Sequence, residues 1–218
     1  SEYIAQKKPL AKQLLAKLNE KYQYASVLIT DNYEKGYRAS RSGVAISATN
    51  AFGGKGMIVK VYDGKGYAEY STNEITAENL PEIEREIEQQ LMNPANFIPE
   101  GTEEAEYKCI SDEPCTLCEA TDYEIHPREV GDEKLIETVT ALREKAVKAD
   151  ERILDAITGF NYQEYHKLFL SANRELEQSV LYSTGIMALV AAKGEEIKQS
   201  FRGFSNLGGA ELLDKMES

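Results

Sequence analysis

Three cysteines and two histidines carry most of the chemical possibility in this 218-residue sequence. Cys115-Thr116-Leu117-Cys118 forms a Cys-x-x-Cys pair, with Cys109 upstream and His126 downstream. Two thiolates at that spacing can reach one zinc ion, and Cys109 and His126 could complete a tetrahedron. A second paired motif would make the zinc reading strong, and the sequence has none. The same residues therefore also read as a redox pair or as unligated loop cysteines. A hydrolytic zinc site usually shows two histidines one helical turn apart beside an acid, so that both imidazoles share a helix face. Here His126 precedes Pro127 and His166 precedes Lys167 in a β-like run, so neither belongs to such a helix. There is no Gly-x-Ser-x-Gly elbow. Gly53-Gly54-Lys55-Gly56 leads into a β-like segment rather than a helix, which makes it a turn or bulge and not a phosphate cradle. No catalytic or cofactor-binding residue is assigned, and the metal candidates are Cys109, Cys115, Cys118 and His126 alone.

The composition narrows the remaining classes. A formal charge of −12, from 37 acidic and 25 basic residues, repels phosphate backbones, so no direct nucleic-acid contact is expected. No stretch approaches the roughly 20 apolar residues that span a bilayer, and Ser1-Glu2-Tyr3-Ile4 lacks a signal pattern. A cytoplasmic protein without a membrane partner is the expectation. With 42% hydrophobic residues the chain can bury a substantial core without a metal staple.

The elements that must position any site repeat along the chain. Asn32-Tyr33 recurs as Asn161-Tyr162, Ser40 as Ser171, Gly56 as Gly185 and Gly64 as Gly194, at offsets of 129 to 131 residues. An offset of that size marks a duplicated half-domain, since solenoid periods run from about 20 to 50 residues. Leu10, Leu14, Leu15 and Leu18 predict an amphipathic helix over Pro9–Tyr22. A meander follows from Ala25, with a turn at Glu34-Lys35-Gly36 and a hairpin turn at Asp63-Gly64. Leu80, Ile83, Ile87 and Leu91 form a second helix, with Asn79 as a candidate cap. Residues 93–131 hold four of the six prolines and ten acidic residues against two basic ones, the signature of a surface connection. Asp132 then caps a helix that buries Leu135, Ile136, Val139, Leu142 and Ala146, and the meander repeats from Ile153. Only the first turns of a closing helix follow Gly208-Gly209. The fold class is α+β, built as duplicated helix–antiparallel meander–helix units. Residues 1–92 form the first unit, 93–131 the connection, and 132–218 a truncated second unit.

The run from Gly54 to Thr76 (Gly-Lys-Gly-Met-Ile-Val-Lys-Val-Tyr-Asp-Gly-Lys-Gly-Tyr-Ala-Glu-Tyr-Ser-Thr-Asn-Glu-Ile-Thr) resembles the N-terminal half of the TldD/PmbA family. That family shows a Gly-rich lead-in, an apolar strand, an Asp/Gly turn, a Gly-aromatic-Ala strand and Ser-Thr-Asn before a helix. Asp150-Glu151-Arg152-Ile153 and Ser200–Leu213, with Gly203 and Gly208-Gly209, are similar to its second-half landmarks. Its members, described as modulators of DNA gyrase and linked to maturation of peptide antibiotics, are similar to zinc metallopeptidases. Their His-Glu-x-x-x-His motif lies in a C-terminal domain, so no ligand position carries over to this chain. The resemblance leans to the TldD-like branch rather than the PmbA-like one, which can lack the motif. It implies a non-catalytic N-terminal domain that helps enclose a peptide or unfolded polypeptide and joins a homodimer or heterodimer, with zinc in the missing domain. This chain alone is predicted inactive. The competing expectation is a protein-interaction module with a structural metal at the linker cysteines.

Overall fold

The first helix begins earlier than its leucines suggest. In the computed structural model, which describes residues 1–48, 54–92 and 107–217, helix α1 spans Glu2–Lys21. The Ser1 side chain accepts a bond from the Ile4 N–H at 3.4 Å, an N-cap invisible to a reading keyed on apolar spacing. Pro9 lies inside this helix and leaves one intrahelical bond unmade.

Strands β1 (Tyr24–Ser40), β2 (Gly43–Ala48), β3 (Lys55–Tyr62) and β4 (Tyr67–Thr72) precede helix α2 (Leu80–Met92). The expected connection then contains strand β5 (Cys115–Ala120) and the short helix α3 (Pro127–Val130). Its residues 93–106 lie outside those described, as do residues 49–53. Helix α4 (Asp132–Lys148) leads into β6 (Ile153–Ser171), β7 (Arg174–Lys193), β8 (Glu196–Leu207) and helix α5 (Leu212–Glu217). The class is α+β. The sheet order is β4-β3-β1-β6-β7-β5, with β2 on β1 and β8 on β7; β1–β2, β1–β3, β3–β4 and β7–β8 are antiparallel.

Two compact units emerge, each drawing on both expected repeat segments. The first comprises residues 1–31, 51–119 and 166–179, and the second 32–50, 120–165 and 180–218, so the division falls inside β1, β5, β6 and β7. In the first unit, Leu14 and Leu18 of α1 and Leu80, Ile83 and Ile87 of α2 pack with Val27, Ile29, Val59 and Val61 in one apolar cluster. Lys17 pairs with Glu84 at 2.8 Å and Lys21 with Glu88 at 2.6 Å along the solvent side of the two helices. The Asp63-Gly64 turn forms as expected: the Asp63 carboxylate accepts from the N–H groups of Lys65 and Gly66, and Gly64 takes a φ of +101°. Those bonds hold the carboxyl below its usual range.

In the second unit, Leu135, Val139 and Leu142 of α4 and Leu212, Leu213 and Met216 of α5 pack with Phe160, Tyr162, Leu181 and Tyr37. Two expectations fail here for physical reasons. The turn at Glu34-Lys35-Gly36 does not occur, because β1 runs unbroken to Ser40 and reverses at Arg41-Ser42. Gly36 serves close approach instead: a Cβ there would lie 2.0 Å from Asn161 Oδ1. Nor does the Asp132 side chain cap α4. Gly131 is the N-cap residue, without a side-chain bond, and the Asp132 carboxylate is drawn to Lys35 Nζ at 2.5 Å and Tyr37 Oη at 2.7 Å.

Candidate functional site

The metal candidates divide between the two units. Cys109, Cys115 and Cys118 lie in the first, all exposed with free thiols, and His126 lies in the second. Cys115 and Cys118 sit on β5, where successive side chains alternate faces, so a spacing of three sends them to opposite sides. The Cys-x-x-Cys chelate assumes a turn, and the chain supplies a strand. Among the described residues no three His, Cys, Asp or Glu side chains are grouped to hold a metal ion. What anchors this segment is ordinary hydrogen bonding. Asp112 accepts from Ser171 Oγ and from the Asn173 N–H, Cys115 N–H donates to Asn173 O at 3.1 Å, and Arg174 Nε donates to Glu113 O at 2.8 Å. Upstream, Tyr62 and Tyr67 donate their hydroxyls to the carbonyls of Tyr107 and Lys108. Replacing Cys115 and Cys118 with Ser should shift stability by no more than about 0.5 kcal/mol, with or without chelator, because both side chains are exposed. Thermal unfolding checks this, and a large loss, or one zinc per chain in the unmodified protein, would restore the metal reading.

His126 belongs to a cluster that sequence reading missed. Its Nδ1 accepts from the Arg128 N–H at 3.2 Å, which makes it the N-cap of α3, and its Nε2 lies 3.8 Å from Glu164 Oε1. Arg128 Nε donates to the same Glu164 oxygen at 2.7 Å, while its guanidinium stacks 4.3 Å from the centroid of Tyr33. Tyr33 packs in turn against Tyr162 at 5.9 Å, and Tyr123 meets the His126 ring edge-on at 5.2 Å. Glu164 is 7% exposed, and a buried carboxylate is tolerable only with such partners. A β-strand Glu pairing with an Arg 36 positions away leaves no local spacing signal.

Burial, followed by the nearby Tyr33 hydroxyl, raises the Tyr162 phenol well above its ordinary value. Burial, followed by the hydrogen bond to Asp132, does the same to Tyr37. Asp132 is held below the usual carboxylate range by Lys35 and then by Tyr37. The cluster contains no activated nucleophile and no group of carboxylates spaced for general acid and base work. Its chemistry is cohesive, since it fixes residues 123–132 against the strands of the second unit.

Two other features offer binding surface. In the first unit, a shallow cleft of about 380 Å³ is lined by Lys12, Asn19, Thr116, Ser171, Asn173 and Arg174, among others. Its charged groups already have partners: Lys12 pairs with Glu175 at 2.6 Å and Arg174 with Glu113 O. In the second unit, β2 is exposed along its length and β8 nearly so. Strands of this kind present unpaired backbone N–H and C=O groups along an outer edge, which suits strand addition by an extended peptide.

No family model and no curated protein sequence matches the chain. Solved structures share its fold. A candidate modulator of DNA gyrase from Thermotoga maritima MSB8 aligns with a TM-score of 0.69 at 12% identity, over 94% of this chain and 44% of its own. A second candidate modulator of DNA gyrase, from Bacteroides thetaiotaomicron VPI-5482, gives 0.66 at 16% identity over 97% and 48%. TldE from Thermococcus kodakarensis gives 0.64 at 13% over 95% and 46%. The chain thus spans just under half the length of these proteins, and at such identities the likeness is one of fold. Among the described residues no helix is long and apolar enough to cross a membrane.

Proposed function

We propose that this chain acts as the N-terminal, non-catalytic domain of a TldD/PmbA-like metallopeptidase, contributing to peptide-substrate enclosure and subunit association. The observation that carries the reading is the fold match, which takes in 94 to 97% of this chain but only 44 to 48% of each solved protein. The resemblance of Gly54–Thr76 to the family's N-terminal half supports it from an independent direction. Zinc and the His-Glu-x-x-x-His motif belong to a further domain in this reading, and the protein works in the cytoplasm on a peptide or unfolded polypeptide. The part assigned to this chain is mechanical. The exposed edge of β2 holds an extended backbone by main-chain hydrogen bonds, while the buried clusters keep that strand in place.

The 218-residue chain by itself should then show no peptide hydrolysis. Its two histidines stand 40 positions apart, and the described residues offer no group to lower the pKa of a bound water. A peptidase assay with and without added zinc checks this. Turnover that survives purification and disappears when a residue of this chain is changed would defeat the reading. Sequencing the parent reading frame for a His-Glu-x-x-x-His run tests the assignment of chemistry to a second domain.

A further inference from the structure

Strand β8 is the outer member of its hairpin, and among the described residues it pairs with β7 alone, from Tyr182↔Leu207 to Lys193↔Glu196. The two-residue loop Gly194-Glu195 closes that hairpin, with Gly194 at a φ of +62° in the first loop position, where glycine is favoured. Such a loop makes Lys193 and Glu196 a hydrogen-bonded pair, so the even-numbered residues of β8 turn their backbone groups toward β7. Gly208, the next even position beyond the strand, donates its N–H to Leu181 O at 3.0 Å in keeping with this phase. The odd-numbered residues 197–207 therefore turn their N–H and C=O groups outward. Their side chains include Ile197, Phe201 and Leu207, which are 66%, 68% and 66% exposed. An outer strand of twelve residues with free backbone groups and exposed apolar side chains is a template for another strand.

We propose that this edge pairs antiparallel with β8 of a second copy of the chain, about a two-fold axis at Gln199. The strand is self-complementary around that residue. Glu196 of each copy stands opposite Arg202 of the other on one face, and Ile197 stands opposite Phe201 on the other face. Two opposite-charge pairs and two aliphatic–aromatic pairs form together, each of a kind that stabilises sheets. Arg202 is already oriented on its face by stacking 4.8 Å from the centroid of Phe204. Outward-facing backbone must meet outward-facing backbone, so the axis can move only in whole residues, each step shifting the register by two. Moving it to Lys198 sets two lysines opposite each other, and moving it to Ser200 sets Lys198 opposite Arg202. Like charges thus oppose both neighbouring registers. A two-fold pairing of this kind is closed and leaves no growing edge along β8.

This pairing gives the proposed subunit association a location and a register, and it rests on that reading only in name: mass tests it, whereas peptide hydrolysis does not. Sedimentation equilibrium of the 218-residue chain over a range of concentrations should reveal a reversible dimer. Glu196→Arg and Arg202→Glu should each weaken it by roughly tenfold or more, and the double exchange E196R/R202E should recover most of the loss. Gln199→Pro removes an outward N–H at the axis without touching the β7–β8 ladder, so it should give a monomer with an unchanged circular dichroism spectrum. A chain that stays monomeric throughout would overturn the proposal. So would a dimer indifferent to Gln199→Pro, or one weakened by both charge variants but not restored by the double exchange.

Discussion

Phe160→Ala should lower the unfolding free energy by about 3–5 kcal/mol, the cost of removing a large buried side chain and leaving its cavity. Phe160 is fully buried on β6, beneath α4 and α5, in the cluster that includes Leu135, Val139, Leu142 and Leu181. Its ring stands 6.5 Å from that of Tyr162, which is itself enclosed by Tyr33 and His126, so little nearby can collapse into the space. Phe201→Ala is the matched control. That ring is largely exposed, and its loss should change the stability of the monomer by about 0.5 kcal/mol or less. Denaturant unfolding at low protein concentration separates the two. Comparable losses at both positions would mean that the second unit does not organise its core around β6.

Alkaline pH should destabilise the fold steeply once the ordinary tyrosine range near pH 10 is passed. The Tyr37 and Tyr162 phenols are raised, chiefly by burial, so the folded chain keeps two protons that the unfolded chain gives up. Their contribution is complete below the unfolded value of about 10 and declines as pH rises toward the folded values. Over that window each phenol subtracts about 1.4 kcal/mol per pH unit. Tyr162→Phe and Tyr37→Phe should each remove one such increment from the slope. Tyr37→Phe should also cost stability at neutral pH, because its hydroxyl donates to Asp132. Urea titrations from about pH 8 to pH 11 span this window and measure both effects. Equal slopes in the parent chain and both variants would show that these phenols ionise as freely in the folded protein as in the unfolded one.

Much of the architecture is legible from residue order because its causes are local. The leucine spacing of α1, the apolar face of α2 and the Asp63-Gly64 turn each follow from side-chain periodicity or from the φ angles that a few residues tolerate. The α+β class follows from the same signals, since periods of about 3.6 and 2 alternate along the chain. Residues 54–76 likewise carry a resemblance to a family in their order alone.

The site required tertiary structure. Cys115-Thr116-Leu117-Cys118 reads as a chelate only if the backbone turns there, but the segment extends as β5, and an extended backbone separates side chains three positions apart. Asp132 reads as a cap from its place before an apolar run, yet Lys35 and Tyr37, distant in sequence, take its carboxylate. Gly36 reads as a turn, although its purpose is to admit the side chain of Asn161. The Arg128–Glu164 pair and the exposed edge of β8 have no local signature at all. Sequence by itself determined the longer helical and meander segments on which the class rests, though not β5, α3 or the full run of β1, because torsional preference and hydrophobic period act over a few residues. Pairing of strands decided the partners, since burial and backbone hydrogen bonding act between residues that the chain brings together only when it folds.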